Sequence, residues 1–316
     1  MKLIEPSHNR SKYLGGSDIA AVLGISPWKT PLDLYMDKVK PRAEGERKRV
    51  FTRGIRWESV VAEMLVERLQ ADGHTVEIIA SNNRYRDQQH DFMAAEIDFE
   101  VKLDGSDEIT NVELKTVHPF KMREWGESDS DNMPTHYTAQ VMWGLGVTGR
   151  RNGILAALFG ADELRAYPVA RDEEIVQALR ERGCDFWNNH VRAGIPPEPI
   201  NIADTSKLFL EDGEAEAIQA DPQLAEWLMR MRFVRAEIKA REAEADALEF
   251  QIRRAMGSNT QVLMPNGKAA CEWKTRSGSY LDEAALKEAH PKIAREFSRK
   301  WKKRVFTVKP FDATGV

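Results

Sequence analysis

Cysteine is almost absent from this sequence, which contains only Cys184 and Cys271 among 316 residues. Two thiols cannot form the four-thiolate site of a structural zinc ion or an iron–sulfur cluster, so metal centres of those kinds are excluded. The low cysteine count also favours a reducing, cytoplasmic setting, because disulfide-rich chains belong to oxidising compartments.

Long hydrophobic runs are missing as well. No stretch of about 18 consecutive apolar residues occurs, which predicts no membrane-spanning helix. The first ten residues, MKLIEPSHNR, lack the apolar segment of a signal peptide. With 42% apolar and 30% charged residues, the composition is typical of a soluble globular chain of one or two domains.

An excess of positive charge is also lacking, since 46 Lys and Arg stand against 50 Asp and Glu, a net charge of −4. Taken alone, this balance argues against a nucleic-acid partner, because surfaces that bind nucleic acid are usually basic. A whole-chain sum hides local patches, however. Residues 291–310 contain eight Lys or Arg and one Glu, and this basic segment is either a solvated face or a surface that contacts DNA phosphates.

Helical and strand-like patterns alternate along residues 1–200, which indicates an α/β fold. A long helix is predicted from the apolar residues Trp57 to Leu69, which recur at steps of three and four. Predicted strands include 95–103, 109–117 and 153–159. The Pro-rich segment 194–199 is interpreted as a linker, so we expect domains at 1–200 and 201–316.

The second region carries an apolar stripe from Leu224 to Ala255, in steps of three and four that only Arg241 interrupts. This pattern predicts a long helix or a helical hairpin. The stripe is either core or a surface for another protomer or partner. The sequence Pro265-Asn266-Gly267 predicts a small β-hairpin after it.

The most informative stretch is AEIDFEVKLDGSDEITNVELKTV, residues 95–117. Side chains alternate along a strand, and a two-residue turn centred on Gly105-Ser106 fixes a register that pairs Phe99 with Val112. On the opposite face this register places Asp98 across from Glu113. Ile97 and Phe99 are expected to share the apolar face.

Two carboxylates opposite each other repel unless a cation lies between them. Mg²⁺ prefers oxygen ligands and keeps several waters, and Lys115 lies one side-chain step from Glu113. The residues therefore indicate metal-assisted phosphodiester hydrolysis. The alternative is an exposed amphipathic hairpin with solvated charges.

The chain resembles the lambda exonuclease and YqaJ-type viral recombinase family of PD-(D/E)XK nucleases over about residues 8–200. Five motifs occur in the family's order: GGSDIAAVLGISPW after Arg10, RGIRWESVVAEML, AEIDF, VELK and YTAQVMW. One departure is Ile97, where the family usually has proline. The resemblance implies a central mixed β-sheet flanked by helices, and the extension adds helices with a small hairpin.

The resemblance also implies a metal centre. Asp98 and Glu113 would hold Mg²⁺ or Mn²⁺ together with the carbonyl of Leu114, and Lys115 would position the attacking water. Glu58 would help to bind a second ion. Taken by itself, Glu58 on a helix is equally explained as a solvated residue.

The resemblance also implies four DNA-contacting residues and one further residue, Gln140, in the catalytic site. Arg10 and Ser17 would grip the 5′ phosphate of the recessed strand, although Ser17 also fits a helix N-cap. Gln140 would orient a site residue or water. Arg123 would contact the scissile phosphate, and Tyr137 is grouped with the DNA-binding residues.

These roles imply an Mg²⁺-dependent 5′→3′ exonuclease that digests one strand of double-stranded DNA and leaves 3′ single strands for phage-type recombination. The implied partners are DNA ends with a 5′ phosphate, a single-strand annealing protein and two further copies in a ring-shaped homotrimer, with no membrane association. Two alternatives remain open: a structure-specific or restriction-type endonuclease of the same fold, and a non-catalytic scaffold that binds DNA ends.

Overall fold

A computed structural model describes residues 2–3, 10–40, 49–211 and 217–309, with side chains described from 10–40, 56–211 and 217–309. The chain divides into two compact units, residues 1–208 and 209–316. The first unit extends eight residues beyond the predicted limit of 200 because Ile202–Leu208 forms a short helix, α6. Asp204 of α6 is buried and accepts a hydrogen bond from Thr30 Oγ1 at 2.9 Å.

The first unit contains a mixed sheet of six strands whose spatial order follows the chain. The strands are β1 (Lys2–Leu3), β2 (Val76–Arg86), β3 (Ala94–Leu103), β4 (Thr110–Val117), β5 (Asn152–Phe159) and β6 (Glu163–Ala170). All neighbours are antiparallel except β4 and β5, which are parallel because a helix crosses between them. The predicted α/β class and mixed sheet are confirmed.

Helices cover both faces of this sheet. Helix α3 (Arg49–Ala71) packs on one face, where Val61 and Leu65 join Val112 and Leu114 in an apolar cluster. The larger cluster lies on the other face, under α1 (Gly16–Val22), α4 (Thr135–Thr148) and α5 (Glu173–Phe186). Helix α2 (Pro31–Val39) packs beside α1, and a π-helical segment, Trp187–Arg192, follows α5.

The register predicted for the β3–β4 hairpin is confirmed, but its turn is not. Phe99 pairs with Val112, as predicted. The tight turn centres on Asp104-Gly105, whose φ angles are 54° and 69°, and Ser106 N donates to Leu103 O at 2.9 Å. The turn therefore lies one residue earlier than expected, and unpaired residues before Thr110 restore the register.

The strands separate at the point where the sequence places its carboxylates. The β3–β4 ladder ends at Phe99, so Asp98 and Glu113 are not a cross-strand pair in it. Ile97 packs in the cluster under α4, whereas Phe99 packs in the cluster under α3. The expectation that both share one face is therefore wrong, because the alternation breaks at Asp98. Asn82, with φ of 55°, lies on β2 between the partners of Phe99 and Ile97.

The second unit is built on α7 (Pro222–Met256), a continuous helix of 35 residues. The predicted long helix is confirmed, and the helical hairpin is not formed. The prediction that its stripe forms a core is wrong for the described residues, since Trp227 is 63% exposed and Leu248 is 59% exposed. The hairpin predicted around Asn266-Gly267 forms between β7 (Gln261–Leu263) and β8 (Ala269–Glu272), and Gly267 has φ of 77°.

Two short helices complete the second unit, α8 (Glu283–Ala289) and α9 (Pro291–Phe297). Across the part of the chain that the structure describes, no helix is long and apolar enough to cross a membrane.

Candidate active site

A pocket of about 260 Å³ opens where β3 and β4 separate. It is lined by eight of the ten residues that the sequence singles out: Arg10, Ser17, Glu58, Asp98, Glu113, Leu114, Lys115 and Gln140. They come from six elements, one of them the 3-10 segment Arg10–Lys12, so only the fold brings them together. Arg123 and Tyr137 are not part of the lining.

Asp98 and Glu113 form the acidic centre of the pocket. Asp98 Oδ2 accepts a hydrogen bond from the main-chain N–H of Leu114 at 2.9 Å. This side-chain bond links β3 to β4 where the main-chain ladder between them has ended. Glu113 is only 7% exposed. Burial, together with the charge of Asp98, raises the pKa of Glu113 to about 8, and burial likewise raises the pKa of Asp98. Near neutral pH the two carboxyl groups therefore retain one proton between them.

Lys115 and Gln140 hold Glu113 in place. The ammonium of Lys115 and the amide of Gln140 both donate to Oε1 of Glu113. Burial alone lowers the pKa of Lys115, but the carboxylates of Glu113 and Asp98 outweigh it and raise that pKa above its usual value. One cation therefore faces two carboxylates, which leaves the site one negative charge in excess when both are ionised.

Glu58 reaches the same pocket from α3 on the other face of the sheet. Burial and the nearby charge of Asp98 raise its pKa. Because Glu58 is half-buried in the lining of this pocket, the alternative of a simply solvated Glu58 does not describe its position.

The residues of the pocket fit a hard divalent cation. Within the described ranges, no group of three or more His, Cys, Asp or Glu side chains forms a ready-made metal cage. Asp98, Glu113 and the adjoining main chain of Leu114 instead offer oxygen ligands on one side of an open pocket. Mg²⁺ is typically bound by one or two carboxylates and keeps several waters. A cation here would offset the burial that raises the pKa values of both Glu113 and Asp98, and the repulsion by Asp98 that raises the pKa of Glu113 further.

A second group of lining residues lies at the N-terminus of α1. Arg10 Nη2 donates to Ser17 Oγ at 2.6 Å. The N-cap of α1 is Gly15, so the interpretation of Ser17 as the N-cap is wrong; Ser17 is the second residue of the helix. A Cβ on Gly16 would lie 3.3 Å from the carbonyl oxygen of Gln140, so this glycine permits the close approach of α1 to α4.

A buried ion pair, which the sequence does not reveal, holds this segment. Lys38 of α2 is 7% exposed and Asp18 is 4% exposed. Lys38 Nζ donates to Asp18 Oδ2 at 2.8 Å and to the carbonyls of Arg10 and Tyr13 at 2.7 and 2.6 Å. Asp18 Oδ2 also accepts from Gly15 N at 3.1 Å. A hydrophobic pattern gives no signal for such a lysine.

Tyr137 and Arg123 lie outside the pocket in different ways. The centroid of the Tyr137 ring lies 5.7 Å from Lys115 Nζ, and the ring packs against Trp125. Tyr137 therefore contacts a pocket residue without lining the pocket. Arg123 is exposed in the 3-10 segment Pro119–Glu124. Trp28 is 68% exposed and packs edge-on against His136.

Glu96 is a lining residue to which the sequence assigns no role. It accepts from Tyr13 Oη at 2.8 Å and from the guanidinium of Arg84. The positive charge of Arg10 and these hydrogen bonds outweigh burial and lower the pKa of Glu96. The sequence signal for Glu96 is its spacing of two residues from Asp98 on β3, because such residues share one side of a strand. Glu96 pairs with Arg84 of β2 and has no ladder partner on β4, because the β3–β4 ladder ends at Phe99.

A mixed sheet between helices, with Asp, Glu and Lys where two strands separate, is the arrangement that the resemblance to PD-(D/E)XK nucleases implies. Residues 7–151 match the YqaJ-like viral recombinase domain, so the chain is similar to that family over this stretch. It is 26% identical over 308 residues to the uncharacterized protein YqaJ of Bacillus subtilis, which covers 95% of this chain and 92% of that protein.

Solved structures of low similarity include two exonucleases. The alkaline exonuclease LHK-Exo from Laribacter hongkongensis is 14% identical, with a TM-score of 0.44 over 59% of this chain and 91% of that one. A phage-related exonuclease from Haemophilus somnus is 11% identical, with a TM-score of 0.41 over 57% of this chain and 94% of that one.

Proposed function

We propose that this protein is a metal-dependent exonuclease that degrades one strand of double-stranded DNA from its 5′ end. The observation that carries the proposal is the buried, cation-deficient pair of Asp98 and Glu113, held beside Lys115 in an open pocket. The match of residues 7–151 to the viral recombinase domain supports a role in recombination.

Each residue has a distinct task in this proposal. Asp98, Glu113 and the Leu114 carbonyl hold Mg²⁺ or Mn²⁺, and Glu58 with Asp98 holds a second ion. When bound, such ions polarise the scissile phosphate and lower the pKa of attacking water. Lys115 orients that water from beside Glu113, and Gln140 fixes the Glu113 carboxylate through its amide.

The proposed polarity of digestion rests on the family resemblance, and the positions of Arg10 and Ser17 support it. Their paired guanidinium and hydroxyl lie on the wall of the same pocket, close to the first turn of α1, and a helix N-terminus with a cationic partner suits a terminal phosphate. Arg123 lies on the exposed surface, where it is available to the DNA backbone. The 3′ strands left behind would pass to a single-strand annealing protein in the host cytoplasm, and a homotrimeric ring would keep the duplex enclosed.

Purified protein is expected to degrade linear duplex DNA with 5′-phosphorylated ends only when Mg²⁺ or Mn²⁺ is present. Ends with a 5′ hydroxyl should be degraded about 10–100-fold more slowly, because hydrogen bonds to a charged group contribute roughly 1.5–3 kcal/mol. Strand-specific end labels measure both. Cutting of covalently closed circles would instead show an endonuclease, and metal-independent binding without products would show a scaffold.

Metal affinity is expected to rise about tenfold per pH unit from pH 6 to 8 and then to level off. In the metal-free protein the pKa of Glu113 is about 8, above its value in the unfolded chain. The free energy of unfolding therefore falls as the pH rises towards 8, because the folded protein holds the Glu113 proton more tightly than the unfolded chain does. Metal binding below pH 8 must displace this proton from Glu113.

Calorimetry in two buffers of different ionisation enthalpy measures this proton directly. Close to one proton should be released per bound Mn²⁺ at pH 7 and much less at pH 9. An affinity that stays constant between pH 6 and 8 would contradict the assignment of Glu113 as a ligand.

A further inference from the structure

Helix α7 carries an apolar seam with the spacing of a coiled coil. Ten positions alternate in steps of three and four residues, and nine of them are apolar. They are Leu224, Trp227, Met231, Val234, Ile238, Arg241, Ala245, Leu248, Ile252 and Ala255. A repeat of 3.5 residues keeps such a seam facing a partner helix through five heptads.

This seam is largely uncovered by the described residues. Only Ala225 and Met256 of α7 are buried, and neither belongs to the seam. Ile238 is 50% exposed near the middle of the helix. Contiguous apolar surface of this length marks a protein contact, and the charges beside the seam decide which contact it is.

A parallel copy of the same helix would meet repulsion at every charged pair of flanking positions. In a parallel pair, the residue that precedes the first seam position of each heptad lies near the residue five positions further along on the other copy. The three charged pairs are all of like sign: Arg230 with Arg235, Glu237 with Glu242, and Glu244 with Glu249. Parallel dimers and parallel trimers are both disfavoured by these pairs.

An antiparallel copy matches the seam from end to end. Leu224 then lies opposite Ala255, and Ile238 lies opposite Arg241, so every seam position has a partner. Arg235 lies beside Glu242 of the second copy, and the symmetry of the dimer forms this attractive pair twice. The guanidinium of Arg241 already contacts Glu244 Oε2 at 2.7 Å.

One kind of like-charged pair remains in the antiparallel alignment, Glu237 beside Glu244 of the second copy, and the symmetry forms it twice as well. The Arg241 guanidinium lies in the same central layers and offsets this repulsion. A single polar residue in an apolar seam sets the alignment of a coiled coil, and here that residue lies at the centre of symmetry.

We propose that α7 pairs with α7 of a second copy of this chain in an antiparallel coiled coil. The contact is a twofold interface, in which the same surface of each subunit meets itself. It is independent of the nuclease site, and it is distinct from the threefold ring that the family resemblance implies.

Sedimentation equilibrium of the full chain tests the pairing. The subunit mass is 35.9 kDa, and we expect an even number of subunits whose association weakens roughly 100-fold or more with Ile238→Asp, because an unpaired charge is costly in an apolar seam. Circular dichroism shows whether the variant keeps its helix. A monomeric wild type, or an assembly unchanged by Ile238→Asp, would overturn the proposal.

Charge reversal beside the seam tests the orientation. Glu242→Arg and Arg235→Glu are each expected to raise the dissociation constant about tenfold, because each change replaces two exposed attractive pairs with two repulsive ones. The double variant should restore association. In a parallel pair, both single changes would instead strengthen it, and that result would overturn the antiparallel assignment.

Matched controls lie on the same helix away from the seam. Lys239→Glu and Asp246→Arg reverse charges of the same kinds at exposed positions, and neither is expected to change the dissociation constant. Equal weakening by the controls would show that net charge alone governs association, which would contradict the proposed pairing.

Discussion

Replacement of Asp98 by asparagine is expected to lower metal-dependent cleavage of linear duplex DNA about 10³-fold. The change removes one of two carboxylate ligands, and bound metal stabilises the transition-state charge by several kcal/mol, where each 1.36 kcal/mol corresponds to a factor of ten. The asparagine side-chain oxygen can still accept the hydrogen bond that Leu114 N–H donates to Asp98. Single-turnover cleavage at saturating Mg²⁺ measures the loss.

The stability of the metal-free protein separates this loss from unfolding. Because burial and neighbouring carboxylates raise the pKa of Asp98, its ionised form is disfavoured, and Asp98→Asn should leave the free energy of unfolding unchanged or higher at pH 8. Lys115→Met is the matched comparison: it should also abolish cleavage, but it leaves Asp98 and Glu113 without their cation and should destabilise the metal-free protein.

Two results would contradict the assigned chemistry. Cleavage by Asp98→Asn at the wild-type rate would remove Asp98 from the metal centre. Equal stability changes in the two variants, rather than changes of opposite sign, would show that the charge balance of the pocket is not the one described.

Period-two patterning predicts two paired strands in the β3–β4 hairpin because it is a local feature of few residues. Phe99 pairs with Val112 as predicted, although the turn lies one residue earlier than expected and unpaired residues before Thr110 compensate for the shift. The break at Asp98 is not readable in this way. It depends on the left-handed residue Asn82 in the neighbouring strand and on helices that pack against both faces, which are long-range facts.

The burial of polar side chains in the interior is a second feature that could not be predicted from the sequence. Glu100 belongs to the polar side of a predicted amphipathic hairpin, yet it is 1% exposed and accepts from Arg150 at 2.7 Å. The exposed-hairpin alternative fails for this reason, since α4 covers the face that the pattern assigns to solvent. Local periodicity records which residues share a face and carries no information on what covers that face.

Replacement of Lys38 by methionine is expected to lower the free energy of unfolding of the first unit by roughly 3–5 kcal/mol. Removal of one partner from a buried ion pair leaves the other charge uncompensated. Although burial alone raises the pKa of Asp18, the charges of Lys38 and Arg10 outweigh it and lower that pKa. Asp18 is therefore ionised at neutral pH and loses its closest cation, while the carbonyls of Arg10 and Tyr13 lose a donor.

The double variant Lys38→Met with Asp18→Asn tests this cause. Asparagine carries no charge and can still accept from Gly15 N–H, so part of the lost stability should return.

Well below its melting temperature, Lys38→Met should also bind 5′-phosphorylated ends no better than 5′-hydroxyl ends, because the carbonyls that fix Arg10 and Ser17 are released, while metal affinity stays the same. Chemical denaturation measures the first effect and the KM for the two kinds of end measures the second. If Lys38→Met were as stable as wild type, the ion pair would not be what holds the N-terminal segment against the sheet. If it were unstable but still preferred phosphorylated ends, Arg10 and Ser17 would be placed by the Leu14 main chain, which accepts a hydrogen bond from Ala94 N at 2.9 Å.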